Sequence, residues 1–437
     1  MSRICMIGTG YVGLVSGACL ADFGHEVWCV DINEKRIAEL HENIMPIYEP
    51  GLEQLVAKNV AGKRLFFTTS LTEAMKATDV IFIAVQTPMA DTGEANLEYV
   101  LNVAREIGEA MDRYTVVVTK STVPVGTSRK VKEAILAAQP EPVPFDMASN
   151  PEFLREGSSI EDFMRPDRVV IGTESEKAKQ IMSDIYRPLY LLETPIVHTD
   201  IETSELIKYA SNAFLAVKIS YINELATLAD AVGANIGMVA KAMGLDKRIG
   251  SKFLHAGLGY GGSCLPKDTN AIVHIAETAG TDMTIVRAAI GVNAGLPDVA
   301  MAKARELTPD LKGRTVALLG LSFKPNTDDI RDAPSRGLVQ RLQAAGATLR
   351  VHDPVAAANF REVHPELMYC DGPYHACEGA DLAILVTEWN EYRQLDLQRL
   401  GGLMKGKVFL DCRNVYTSRM MADAGFRYRS FGRPDRA

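Results

Sequence analysis

Residues 4–31 read ICMIGTGYVGLVSGACLADFGHEVWCVD. Ile4 to Ile7 is a short apolar strand, Gly8-Thr-Gly-Tyr-Val-Gly13 a glycine turn, and Tyr11 to about Phe23 an apolar helix closed by Gly24. Val27 to Val30 is a second strand, and Asp31 ends it. Strand, helix and strand within about 30 residues make a parallel crossover unit. The G-x-G-x-x-G turn that opens the helix, followed about 20 residues on by an acid, turns that unit into a dinucleotide fingerprint. Gly8 permits the tight turn, Gly10 lets the backbone of the Tyr11-Val12 turn approach a pyrophosphate, and Gly13 lets helix and strand pack closely, while the helix N-terminus holds the phosphate charge. The Asp31 carboxylate would take the ribose 2′-hydroxyl and repel a 2′-phosphate, so the reading is NAD over NADP. Arg36, five residues later, is the reservation. The first twenty residues could also pass for a secretory signal, but glycines at 8, 10 and 13 and the strand that follows argue against it.

The same pattern continues outward. Val80–Val85, Thr115–Thr119 and Arg168–Ile171 are continuous apolar strands, which predicts a parallel sheet covered on both faces. From about Glu202 to Gly233 the chain has no proline and apolar residues at helical spacing, and more helix surrounds Gly244. Strands resume at Arg314–Gly320, Thr348–Asp353, Ala380–Val386 and Lys407–Leu410, with a helix at about 335–345. The expected fold is therefore α/β: two doubly wound, Rossmann-like domains joined by a long central helix and helical segment. The division is 1–200, an NAD-binding domain; 201–300, a helical segment; and 301–437, a second Rossmann-like domain without G-x-G-x-x-G. The closing GRPDRA is expected to be a mobile tail.

Composition narrows the function. With 437 residues, 47% hydrophobic and a net charge of −8, the chain is globular and mildly acidic. No basic run suits nucleic acid or an anionic membrane, and no apolar run approaches the roughly 18 residues of a membrane span. Seven cysteines, an odd number without Cys-x-x-Cys, point to reduced thiols in a cytoplasmic compartment. No Cys/His cluster suggests a metal.

The most unusual stretch is Gly257-Leu-Gly-Tyr-Gly-Gly-Ser-Cys-Leu-Pro-Lys-Asp268. Glycines allow close backbone approach and expose a side chain at a turn, and an ammonium nearby activates a thiol. For the other six cysteines the reading is a small buried hydrophobe. A thiol beside a dinucleotide site suggests oxidation of an alcohol to an aldehyde, capture as a thiohemiacetal on Cys264, a second oxidation to a thioester, and hydrolysis. Lys208 and Asn212, four apart on the central helix, could stabilise an oxyanion; the competing reading is a solvated polar face. Glu152 and Glu156 could serve as general bases; the competing reading is acids in the first turn of a helix.

With these residues in hand, the chain resembles the nucleotide-sugar dehydrogenase family. The likeness runs through GTGYVG near residue 8, QTP at 86, KSTVPVGT at 120, NPEFLREG at 150, ELIKYASNAFLAVKIS at 205, GYGGSCLPKD at 259 and FKPNTDDIRDAP at 323. The resemblance implies Cys264 as nucleophile, Asp268 and Lys208 as acid/base and water-ordering groups with Thr122 nearby, Asn212 as the oxyanion partner of Lys208, and Glu152 as the carboxylate of thioester hydrolysis. It implies cofactor contacts at Val12, Asp31, Arg36, Thr87, Thr122, Glu156, Lys267 and Arg331. It further implies a nucleotide-sugar pocket formed by Glu152, Phe153, Leu154, Arg155 and Glu156, by Phe253, Leu254, His255, Ala256 and Gly257, and by Gly261 and Lys324. Arg248 resembles an arginine that reaches across a homodimer built by the central helix. Ser263 before Cys264 resembles the UDP-glucose and GDP-mannose branches, and Arg248–Leu254 with Gly259-Tyr-Gly261 look more like the UDP-glucose branch. The implied reaction is the four-electron, NAD-dependent oxidation of UDP-glucose to UDP-glucuronate, with GDP-mannose as the alternative substrate. From a different class, a catalytically silent binder of NAD or a nucleotide sugar is disfavoured, because Cys264, Lys208 and Asp268 are all present.

Overall fold

Ile4, Cys5 and Met6 of the strand Arg3–Ile7 (β1) have no solvent exposure, and neither do Val116, Val117 and Val118 of the strand Thr115–Thr119 (β5). Strands buried on both faces need covering layers, and each such side chain contributes ~1.5–3 kcal/mol relative to exposure. The computed structural model describes residues 1–90 and 93–434. It divides into two compact units, Met1–Ser211 with Asn270–Gly280, and Asn212–Thr269 with Thr281–Ala437.

The first unit adds β2 (Glu26–Val30), β3 (Leu65–Thr68), β4 (Val80–Ile83), β6 (Phe145–Ser149), β7 (Val169–Gly172) and β8 (Ile196–Thr199). The sheet order is β3-β2-β1-β4-β5-β6-β7-β8. Order reverses between β1 and β4, the switch point where doubly wound sheets bind ligands. One difference from the expected parallel sheet stands out. β6 meets β7 antiparallel, through Ser149 and Gly172, and β7 and β8 then run parallel to each other. Gly172 leaves room here: a Cβ on it would lie 2.4 Å from the Cβ of Ser204, in the first turns of the helix Ile201–Val232. Asp200 starts that helix by accepting from the Thr203 amide at 2.7 Å, and Gly233, with φ of 72°, ends it. The boundary between the units falls within this helix.

The second unit holds a six-stranded sheet of β9 (Thr315–Leu319), β10 (Thr348–His352), β11 (Met368–Tyr369), β12 (Leu382–Leu385), β13 (Val408–Asp411) and β14 (Arg427–Ser430). Its order is β11-β10-β9-β12-β13-β14, parallel throughout. The helix Thr284–Leu307 corrects an expectation: by length and composition alone it could cross a membrane. Its Leu296, Ala300, Met301 and Ala304 instead belong to the apolar core of this unit. The tail differs too. The Gly432 carbonyl accepts from the Ile236 amide at 2.8 Å and Arg433 donates to the Tyr416 carbonyl at 2.8 Å, so those two residues are pinned; residues 435–437 lie outside the described residues.

The glycine turn gives the first test. A Cβ on Gly13 would sit 1.9 Å from the Gly8 carbonyl oxygen, whereas one on Gly10 would meet nothing within 4 Å. Gly13→Ala should cost about 3 kcal/mol of unfolding free energy in urea titrations. Gly10→Ala should stay within ~0.5 kcal/mol of the parent.

Candidate active site

In the first unit, functional side chains sit past the C-terminal ends of the strands. Gly10 caps the helix Tyr11–Asp22 without a side-chain hydrogen bond, and the first turn carries no acid. The helix therefore presents its positive end beside the free space at Gly10, which suits an incoming diphosphate. Asp31 accepts from the Thr9 amide and hydroxyl at 2.9 and 2.7 Å, from the Asn33 amide at 3.0 Å, and from Arg36 at 3.0 Å. Burial opposes ionisation, but these hydrogen bonds and the Arg36 charge outweigh it and hold the carboxyl below its usual range. Arg36 is thus the ion partner of Asp31, which offsets part of the charge that would repel a 2′-phosphate. The residues present fit a dinucleotide.

Thr87, past β4, donates to the Thr122 carbonyl, past β5, at 2.9 Å. Past β6, residues 151–157 form a loop, which removes the helix-first-turn reading of Glu152 and Glu156. Glu152 is 5% exposed and paired with Lys208 at 3.0 Å. Burial disfavours its charge, yet Lys208, the Leu154 amide and Lys120 lower its pKa overall. Lys208 and Asn212 are 3% and 7% exposed, so the solvated-face reading of that helix fails. Phe153 lies under the Arg168 guanidinium at 3.5 Å, Glu156 is half-buried, and Arg155 is exposed and tied to Asp162 at 2.6 Å.

In the second unit, Asn212 donates to Asp268 at 2.6 Å, and Lys267 pairs with the other carboxylate oxygen. Asp268 has no solvent exposure. Cys264 begins the turn into the helix Leu265–Thr278, with its sulfur 3.6 Å from the Ser263 hydroxyl. The other six cysteines are buried, and burial pushes the Cys29 and Cys377 thiols up to about 12. Cys264 alone is half-buried. The glycines before it answer to the chain's own packing more than the sequence suggests. A Cβ on Gly257 would meet the Cys412 carbonyl at 2.5 Å, and one on Gly261 the Asp332 carbonyl at 2.2 Å. The Gly262 amide donates to the Arg331 carbonyl at 2.8 Å, and the Arg331 side chain pairs with Asp329. Lys324 lies over the Phe323 ring at 5.1 Å. Phe253 takes a left-handed φ of 64° before Leu254, His255 and Ala256, which line a cavity of about 260 Å³ together with Lys241, Arg413 and Arg433. Arg248 points into none of this: it is 89% exposed and pairs with Asp246.

The second sheet explains why it lacks a dinucleotide turn. Asp353 ends β10 as Asp31 ends β2. Its carboxylate is already filled by the amides of Leu321, Ser322, Val355 and Ala356, the Ser322 hydroxyl and the Trp389 indole, leaving nothing for a ribose.

Several residues escape sequence reasoning. Lys120, inside KSTVPVGT, is 4% exposed and donates to Asn150 at 3.0 Å. Glu205, inside ELIKYASN, accepts from the Gly126 and Ser128 amides at 2.6 and 2.8 Å and so fixes the loop that carries Thr122. Glu49 accepts from Tyr11, Gly157 and Ser159, so the Tyr11 hydroxyl is committed within the chain. Arg413 and Arg433 carried no local signal. Lys120 and Glu205 lie within motifs, but nothing in their spacing reports burial.

Residues 2–190, 202–295 and 317–418 match the NAD binding, central and UDP binding domains of the UDP-glucose/GDP-mannose dehydrogenase family. The chain is 51% identical over 440 residues to a UDP-glucose 6-dehydrogenase of Rhizobium meliloti, covering 99% of this chain and 100% of that one. It is 45% identical to the UDP-glucose 6-dehydrogenase TuaD of Bacillus subtilis, covering 99% and 94%. Among solved structures, a UDP-glucose dehydrogenase from Pyrobaculum islandicum superposes with a TM-score of 0.90 at 41% identity, covering 96% of each chain.

Lys120 yields a pH test. Burial pushes its ammonium down to about 8 from 10.5, with Lys208 adding to the effect and Glu152 opposing it. The unfolded chain then binds more protons than the folded one between those values. The penalty is full below about pH 8 and fades as pH rises toward 10.5. The stability of the parent relative to Lys120→Met should therefore climb by about 3 kcal/mol across that window. Parallel curves would mean that Lys120 titrates normally.

Proposed function

Because this chain belongs to the UDP-glucose/GDP-mannose dehydrogenase family, we propose that it oxidises carbon 6 of UDP-glucose to the carboxylate of UDP-glucuronate through a covalent intermediate on Cys264. NAD is its cofactor and a UDP-sugar its substrate. The observation that carries the reading is Cys264, the single cysteine not buried, four residues before an Asp268 held by Asn212 and Lys267.

NAD, when bound, accepts one hydride in each of two oxidations. The glycine turn from Gly8 to Gly13 and Asp31 would hold its diphosphate and ribose, with Thr87 and Thr122 further along the strand ends. Asp268, with Lys208 and Thr122, receives the hydroxyl proton as the C6–H bond gives up its electron pair, leaving an aldehyde. The Cys264 thiolate then adds to C6, and the carbonyl electron pair moves to an oxyanion that Lys208 and Asn212 stabilise. Loss of the second hydride leaves a thioester. Glu152, ionised beside Lys208, takes a proton from water as it attacks; the C6–S bond breaks, the Cys264 thiolate leaves, and the carboxylic acid formed gives its proton to solvent to become the carboxylate. The cations Lys241, Arg413 and Arg433 around the cavity beside Leu254–Ala256 suit a nucleoside diphosphate.

The homodimer remains part of the proposal. Phe214, Tyr221 and Leu228 are 64%, 49% and 55% exposed at seven-residue intervals along one helix, an apolar stripe of the kind that pairs with a second copy. There Arg248, exposed now, would reach the partner's sugar. The three-part division of the chain and a reducing, cytoplasmic setting for seven reduced cysteines belong to the same proposal.

Two experiments test this. Mixing protein, NAD and UDP-glucose should give two NADH per sugar, with none from GDP-mannose. Cys264→Ala should abolish the second oxidation, lowering turnover at least a thousandfold. One NADH per sugar in the parent would refute the thioester route. Tyr221→Asp should shift the molar mass in light scattering from dimer to monomer, and an unchanged mass would rule out this stripe as the interface.

A further inference from the structure

Glu49 takes no part in the chemistry above, yet one carboxylate joins two functional segments of the first unit. Its Oε2 accepts from the Tyr11 hydroxyl, on the first residue of the glycine-turn helix, and from the Gly157 amide at 2.6 Å; its Oε1 accepts from the Ser159 amide at 2.8 Å. The Tyr11 oxygen also accepts from the Gly157 amide at 2.8 Å, closing a three-membered network. The side chain is 7% exposed. Its backbone has little freedom, since Pro50 biases Glu49 to extended conformations and Gly51 turns left-handed, with φ of 84°, to start the helix Leu52–Ala61. Leu52 and Val56 of that helix share an apolar cluster with Leu14 and Val15 of the glycine-turn helix, and Leu154 and Ile160 pack against it. Burial, with the Glu49 carboxylate beside it, holds the Tyr11 phenol far above its usual range, so it remains a donor.

The geometry points to Glu49 as a positioning residue that fixes the loop carrying Glu152 and Glu156 to the first turn of the cofactor helix. This rests on the proposed function, in which that loop supplies the hydrolytic base and that turn holds the cofactor. Glu49 itself touches neither reacting group. A carboxylate is suited to the task because it accepts three bonds, whereas the single carbonyl of a glutamine accepts from fewer donors and turns an N–H₂ toward the rest.

Two readouts decide the proposal. In the full-length protein without ligands, amide exchange over residues 153–159 should quicken at least tenfold in both Glu49→Gln and Tyr11→Phe. The double variant should be no faster than Glu49→Gln alone, because both changes break one network. In turnover with NAD and UDP-glucose, Glu49→Gln should lower kcat about tenfold while both KM values stay within threefold. A purely structural residue would lower Tm and leave kcat of the folded protein unchanged. Unaltered exchange in Tyr11→Phe, or an unaltered kcat in Glu49→Gln, overturns the proposal. Failure of the parent to oxidise UDP-glucose would instead count against the proposed function, and exchange would still judge the network.

Discussion

A carboxylate and an ammonium buried side by side, Glu152 and Lys208 at 3.0 Å, are the constraint on which the first unit's functional side chains depend. Both side chains are 4% exposed, and desolvating either charge alone would cost several kcal/mol. Losing either would remove the ion pair that offsets the other's burial. The pair therefore ties the loop past β6 to the helix Ile201–Val232 and keeps the carboxylate ionised. Lys120 adds a second cation nearby, itself so dehydrated that its proton is loosely held. Charge buried in this manner is poor stabiliser, and its retention fits a chemical use that needs an ionised base away from bulk water.

Around this pair, other carboxylates fix loops rather than react. Glu205 holds the segment between Thr122 and the helix Thr127–Ala138, and Glu49 holds the loop after Glu152. Asp268 is similarly braced in the second unit by an amide and an ammonium. The comparison of Asp31 with Asp353 shows how one topology is used twice. Asp31 ends its strand half-buried beside an open glycine turn; Asp353 is saturated by amides, the Ser322 hydroxyl and the Trp389 indole of its own unit.

The strand-helix-strand units were legible because a doubly buried strand must be a continuous apolar run and a glycine must mark each tight turn. Gly8, Gly13 and Asp31 stand where their spacing places them, and helix ends at Gly24 and Gly233 fall within a residue or two of expectation. The antiparallel entry of β7 was not legible, since Val169–Gly172 is equally apolar whichever way it runs. In the second unit the glycines before Cys264 suggest room for a ligand, whereas Gly257 and Gly261 are required by the Cys412 and Asp332 carbonyls. Lys120, Glu205 and Glu49 were invisible as functional residues because burial of a charged side chain is a tertiary fact. An isolated Lys or Glu on a helix or loop is usually solvated, and no local pattern distinguishes these three.

In the proposed reaction Cys264 carries the sugar and Glu152, kept ionised by Lys208, releases it. Mass spectrometry of Glu152→Gln protein, quenched with acid while turning over UDP-glucose and NAD, tests it most directly. The Cys264 peptide should gain a UDP-glucuronyl thioester that hydroxylamine removes. An unmodified Cys264 peptide, in protein that is still producing NADH, would contradict it.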